Sequence, residues 1–140
     1  MRLSYTFQKI TLISLPLISI IASPNLARGN SYKTVQSANC NNPQTTLEMK
    51  ICAGRTYEAA DKKLNRVYRQ LKPKLRTSQQ KKLVNAQLAW IQFRDKSCAF
   101  EATEAEGGTL EPILKLNCLA DTTQQRTKDL QRYLQVVENR

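Results

Sequence analysis

A chain of 140 residues with 41% hydrophobic content holds one small domain. It has no histidine and only 6% aromatic residues, which leaves little for histidine-based catalysis, for histidine-ligated metals or for base-stacking nucleic-acid readers. The formal net charge of +11 favours anionic partners and says nothing about fold.

Arg2 and Lys9 precede Ile10 to Ala22, an uncharged apolar run of about 13 residues, which suits the core of a cleavable signal peptide and falls short of the roughly 20 that span a bilayer. Ala27-Arg-Gly29 places small residues where a signal peptidase reads, so the expected cut precedes Asn30, with a cut after Ala27 as the alternative. No cysteine precedes Cys40, so the acylated cysteine that opens a mature lipoprotein is missing. Removing residues 1–29 takes Arg2, Lys9 and Arg28 from the 22 basic side chains and none of the 11 acids, leaving a net charge of about +8.

Residues 30–44 are polar and turn-rich, and Asn41-Asn-Pro43 stops any earlier helix, so they read as an extended arm. Thr45 or Thr46 then caps a helix with Glu48 in its first turn. Met49, Ala53, Tyr57, Ala60, Leu64, Val67 and Leu71 form its apolar stripe. Pro73 ends that helix, and Thr77-Ser78 opens a second whose stripe is Leu83, Ala86, Trp90, Phe93, Ser97 and Phe100. Gly107-Gly108 breaks the second helix. Pro112 suits the first turn of a third, with Leu116, Leu119, Thr123, Arg126, Leu130, Tyr133 and Val137 on its stripe. No segment alternates as a strand would. The expected fold is all-α: an antiparallel three-helix bundle over 45–140, with helices of about 27 residues and about 40 Å, behind a signal peptide (1–29) and an arm (30–44).

Cys40, Cys52, Cys98 and Cys118 are an even set in an apparently exported domain and read as two disulfides rather than as a metal site. In an up-down-up bundle Cys52, Cys98 and Cys118 fall at one end. Cys98 and Cys118 flank the Gly107-Gly108 turn, which favours their pairing and leaves Cys40 for Cys52. Equal height also permits a bridge between the first and third helices.

Taken together, Cys40, Cys52, the run Asp61-x-x-Leu64-Asn65-x-x-Tyr68, the run Gln87-x-x-Trp90-x-x-x-Arg94-Asp95, Cys98, Gly107-Gly108, Cys118 and Arg126 resemble the LprI-like family of exported bacterial proteins. The resemblance covers nearly the whole mature chain. It implies a lysozyme-inhibitor-type binding module, since the family's named member is a lipoprotein that inhibits lysozyme. This sequence departs from that pattern in lacking the anchor cysteine.

Trp90 shares its stripe with Ala86 and Phe93 and reads as a core aromatic, with an exposed binding anchor as the alternative. Gln87 and Arg94, one step off the stripe, read as a structural network that satisfies backbone or pairs with acids such as Asp61. Arg126 stands where a leucine would continue the third stripe and requires a carboxylate or several carbonyls, with Asp95 and Asp61 the candidates. Asp61, Asn65 and Tyr68 share one helix face, as a rim for a partner or as a seam between helices.

Glu101, Glu104, Glu106 and Glu111 gather around Gly107-Gly108, as a flexible acidic loop fit for a basic cleft or as solvated helix ends. Around the first helix-helix turn stand Lys62, Lys63, Arg66, Arg69, Lys72, Lys74, Arg76, Lys81 and Lys82, which makes the bundle a dipole.

With no histidine, no phosphate loop and no metal-ligand cluster, catalysis would fall to a carboxylate pair such as Asp61 and Asp95, so the expected protein is not an enzyme and needs neither cofactor nor metal. Two partners stay open. One is a lysozyme-type muramidase, its cleft occluded by the loop of Glu104, Glu106, Gly107 and Gly108. The other is an anionic cell-wall or outer-membrane polymer, held by Lys72, Lys74, Arg76, Lys81 and Lys82. No specific nucleic acid and no membrane span after signal removal are expected, and the location is periplasmic or secreted.

Overall fold

The computed structural model describes residues 38–139, so the signal peptide read at 1–29 and the first part of the arm, 30–37, lie outside the described residues. The first helix, α1 (Thr46–Leu71), starts on a reciprocal cap: Thr45 Oγ1 accepts from the Glu48 amide at 3.1 Å and Glu48 Oε2 accepts from the Thr45 amide at 3.2 Å. Pro73 falls in a short 3-10 turn, Lys72–Lys74, and the chain re-enters helix as α2 (Thr77–Glu101). That helix is preceded by Arg76 rather than capped by Thr77 or Ser78, and Gln79 Oε1 accepts from the Arg76 amide at 3.2 Å. A second 3-10 turn, Ala102–Ala105, leads to α3 (Glu111–Glu138), with Pro112 in its first turn. The described residues contain helices and turns and no strand.

The three helices run up, down and up. α1 and α3 form the most extensive pair, and α2 leans on α3 over a smaller area. Small buried residues on both helices, Ala53 and Ala60 on α1 and Ala120, Thr123 and Thr127 on α3, let those two backbones approach closely. One end is held by a cluster of Leu64, Val67, Leu71, Leu83 and Leu130, with Tyr68, Leu75, Trp90, Leu134 and Val137 packed around it. At the other end Cys98, Cys118 and Leu119 cluster with Tyr57. The disulfides are Cys40–Cys52 and Cys98–Cys118, each with Cα atoms 5.4 Å apart, so the bridge between first and third helices does not form.

The register of α2 differs from the expected one. Leu83, Arg94 and Cys98 are buried and Gln87 and Trp90 half-buried, whereas Phe93 is 62% exposed and Phe100 78%. The inward row is therefore 83, 87, 90, 94 and 98, not 83, 86, 90, 93, 97 and 100. At about 100° per residue, a cysteine turned inward at position 98 carries positions 93 and 100 about 140° and 160° away from it. Closing the disulfide to α3 thus outweighs burying two phenylalanines. Smaller departures are Met49 and Tyr133, both exposed at the edges of their expected stripes.

Candidate functional site

The turn between α2 and α3 is built rather than loose. The Cys98–Cys118 bridge closes its base, and buried Ala102 anchors the 3-10 segment. Gly107 takes φ +73°, a left-handed conformation that side chains with a Cβ adopt at a cost. Glu111 Oε2 accepts from the Gly107 amide at 2.8 Å, the Gly108 amide donates to Ala105 O at 2.9 Å, and Thr103 Oγ1 donates to Phe100 O at 2.6 Å. A Cβ at Gly108 would stand 3.0 Å from Ala105 O, so the path of the chain favours glycine at both positions. Glu101, Glu104 and Glu106 are exposed. No lysine or arginine occurs between Lys96 and Lys115, and none of these carboxylates, Glu111 included, joins an ion pair among the described residues. The result is an anionic, hydrogen-bonded knob at one end of the bundle.

Most residues of the two sequence runs form a structural seam. Arg94 is buried with its guanidinium 5.1 Å from the Trp90 ring centroid and 5.6 Å from that of Tyr57, while Nη2 and Nε reach Asp95 Oδ1 at 2.7 and 2.9 Å. Arg126 also lies over Trp90, at 5.9 Å, and its Nε donates to Gln87 Oε1 at 2.7 Å. The expected carboxylate partners of Arg126 are thus replaced: Asp95 is taken by Arg94, and Asp61 accepts from Asn65 Nδ2 at 2.8 Å within α1. A neutral amide suffices because the guanidinium is only half-buried and two cations share the electron-rich ring. Leu64 is in the core and Tyr68 on its margin. Tyr57, which α1 contributes to the Arg94 stack, was invisible as a partner because nothing local in sequence links it to position 94.

At the opposite end the basic side chains are exposed except for half-buried Lys72, and Lys74 Nζ pairs with Glu138 at 3.3 Å. A cleft of about 580 Å³ between α1 and α3 was also missed, because its lining alternates between distant segments: Arg55 and Lys63 on α1 face Gln124, Lys128 and Gln131 on α3, with the Cys40–Cys52 bridge at its edge. Arg55 Nη1 there donates to Ala38 O at 3.2 Å and ties the arm to the helix.

The described residues form a helical domain stapled by two disulfides, whose buried polar groups serve packing and whose charge is separated between its ends. Residues 37–130 match the family described as lysozyme inhibitor LprI, and the chain belongs to that family. An uncharacterized protein of Rhizobium meliloti (strain 1021) is 33% identical over 113 residues, which cover 71% of this chain and 81% of the relative. No solved structure matches the chain. Two disulfides suit folding in an oxidising compartment, and no helix among the described residues is long and apolar enough to cross a membrane.

Proposed function

We propose that the protein is an exported inhibitor that binds a lysozyme-type muramidase and blocks its cleft with the acidic knob of Glu101, Glu104 and Glu106. Membership of a lysozyme-inhibitor family supports the class of partner. The observation that carries the choice of surface is the uncompensated charge of this knob, free of any cation from residue 97 to residue 114 and held in shape by the Cys98–Cys118 bridge. A preorganised knob loses little conformational entropy on docking, which leaves more of its contact energy as affinity.

The net positive charge of the chain argues against a basic target only if it acts at the contact. The Lys72 to Lys82 part of the basic cluster lies about 29 to 36 Å away, the length of α2 from Lys82 or Thr77 to Glu101 at about 1.5 Å per residue. With a Debye length near 8 Å at physiological salt, its repulsion at the knob is almost fully screened. What remains orients the molecule, acidic end first. Neither the family nor the relative speaks for the alternative, an envelope polymer on the basic end.

The test is inhibition of a panel of muramidases by the oxidised, purified protein. Glu104→Lys with Glu106→Lys should abolish inhibition of a basic lysozyme. Replacing Lys72, Lys74, Arg76, Lys81 and Lys82 by Gln should leave it intact or modestly faster in onset. Absence of inhibition across acidic and basic muramidases would reject the reading.

A further inference from the structure

We infer that Phe93 and Phe100 on α2 are the aromatic anchors of the docking surface, and that the partner they fit is a basic protein presenting an apolar pocket beside a cationic rim. The inference rests on the inhibitor reading above and adds the surface that reading lacks. These phenylalanines are the most exposed large apolar side chains of the described residues, at 62% and 78%. They stand seven positions apart, so they lie about 20° from one line along the helix and about 10 Å apart. Ala86 and Ala89, both exposed, extend the same row. An exported helix that turns its two phenylalanines to solvent while burying an arginine carries a second apolar stripe, and the core does not use it.

Charge and area select the occupant. Phe100 lies one residue before Glu101 and its carbonyl accepts from Thr103 Oγ1, so the row runs directly into the acidic turn, where Leu110 is also exposed. Lys96 is the one exposed cation of α2 between the two rings. Two phenylalanine side chains offer about 300–500 Å², below the roughly 800 Å² per partner of a stable interface. The row alone is therefore too small to hold a second copy of the chain. Joined to the acidic turn the row gains an anionic neighbour, and that turn demands a basic counterpart. Exposed aromatics inside a charged rim are the arrangement in which a few residues dominate binding.

The experiment measures the affinity of the oxidised chain for a basic animal lysozyme by titration calorimetry at two salt concentrations, alongside its mass in solution by light scattering. Because both rings are exposed, Phe93→Ala with Phe100→Ala should fold with an unchanged melting temperature and bind at least about 30-fold more weakly at both salts. Glu104→Gln with Glu106→Gln should weaken binding mainly at low salt. Tight binding that the alanine pair leaves intact would overturn the anchors while the inhibitor reading stands. A wild-type chain that ignores lysozyme but is a dimer, made monomeric by the alanine pair, would replace the partner with a second copy and reject the inhibitor reading too. A monomer that binds no lysozyme rejects both.

Discussion

Arg126 of α3 donates through Nε to Gln87 of α2 at 2.7 Å, across 39 positions of sequence, and this is the polar bond that pins the less extensively packed helix to the core pair. Gln87→Ala removes the acceptor and leaves a half-buried guanidinium without it, which should cost about 1–3 kcal/mol. Arg126→Leu continues the apolar stripe of α3 but leaves Gln87 Oε1 without its donor, so it should also cost about 1 kcal/mol. Urea unfolding of the two variants and of the double variant decides this, and losses that simply add would show that the bond does not determine the packing.

The register of α2 makes opposite predictions for its aromatics. Trp90→Ala should cost about 3–5 kcal/mol, because the ring packs on the leucine cluster and supports two guanidiniums. Phe93→Ala and Phe100→Ala should each shift stability by no more than about 0.5 kcal/mol. Thermal melts of the three single variants check the contrast. A large loss at Phe93 would restore the register expected from sequence.

Cys98→Ser with Cys118→Ser opens a loop of 20 residues and should cost about 3 kcal/mol in the chain-entropy account, and Cys40→Ser with Cys52→Ser, over 12 residues, about 0.5 kcal/mol less. Peptide mapping without reduction should recover these two linkages and no free thiol. A Cys52–Cys118 peptide would contradict the fold described.

Gly107→Ala forces a Cβ into the left-handed region and should cost about 1–2 kcal/mol, with Gly107→Asn costing less because asparagine tolerates that conformation better. If the knob is the binding surface, Gly107→Ala should also weaken inhibition more than its stability loss explains. Circular dichroism and inhibition measured on the same samples separate the two effects.

The helices were legible in the sequence where the signals were local. The Thr45–Glu48 cap, Pro73, Gly107-Gly108 and Pro112 each act over a few residues, and the element boundaries follow them. The stripe of α1 was also legible, since Ala53, Ala60, Leu64, Val67 and Leu71 are apolar on one side only. On α2 the pattern was degenerate: Ala86, Phe93 and Phe100 make one row and Leu83, Trp90 and Cys98 another, and periodicity cannot rank two apolar rows on one helix. A covalent bond to another helix ranked them. The partners of Arg94 and Arg126 were illegible for a related reason, because Tyr57 and Gln87 meet them only after α2 has taken that rotation.

Thr123 Oγ1, sealed in the seam between α1 and α3, has no hydrogen-bond partner among the described residues. The leucine cluster and the cystines divide the molecule differently. Apolar burial secures the basic end, and covalent bonds secure the acidic one. Local opening is therefore conditional on redox state: a thiol reductant should raise amide exchange around residues 98–118 well before it reaches Leu64, Val67 and Leu130. If the knob is the binding surface, recognition through it should be a property of the oxidised molecule alone. A chain held in a reducing compartment would keep much of its helical core and lose the rigid turn it presents.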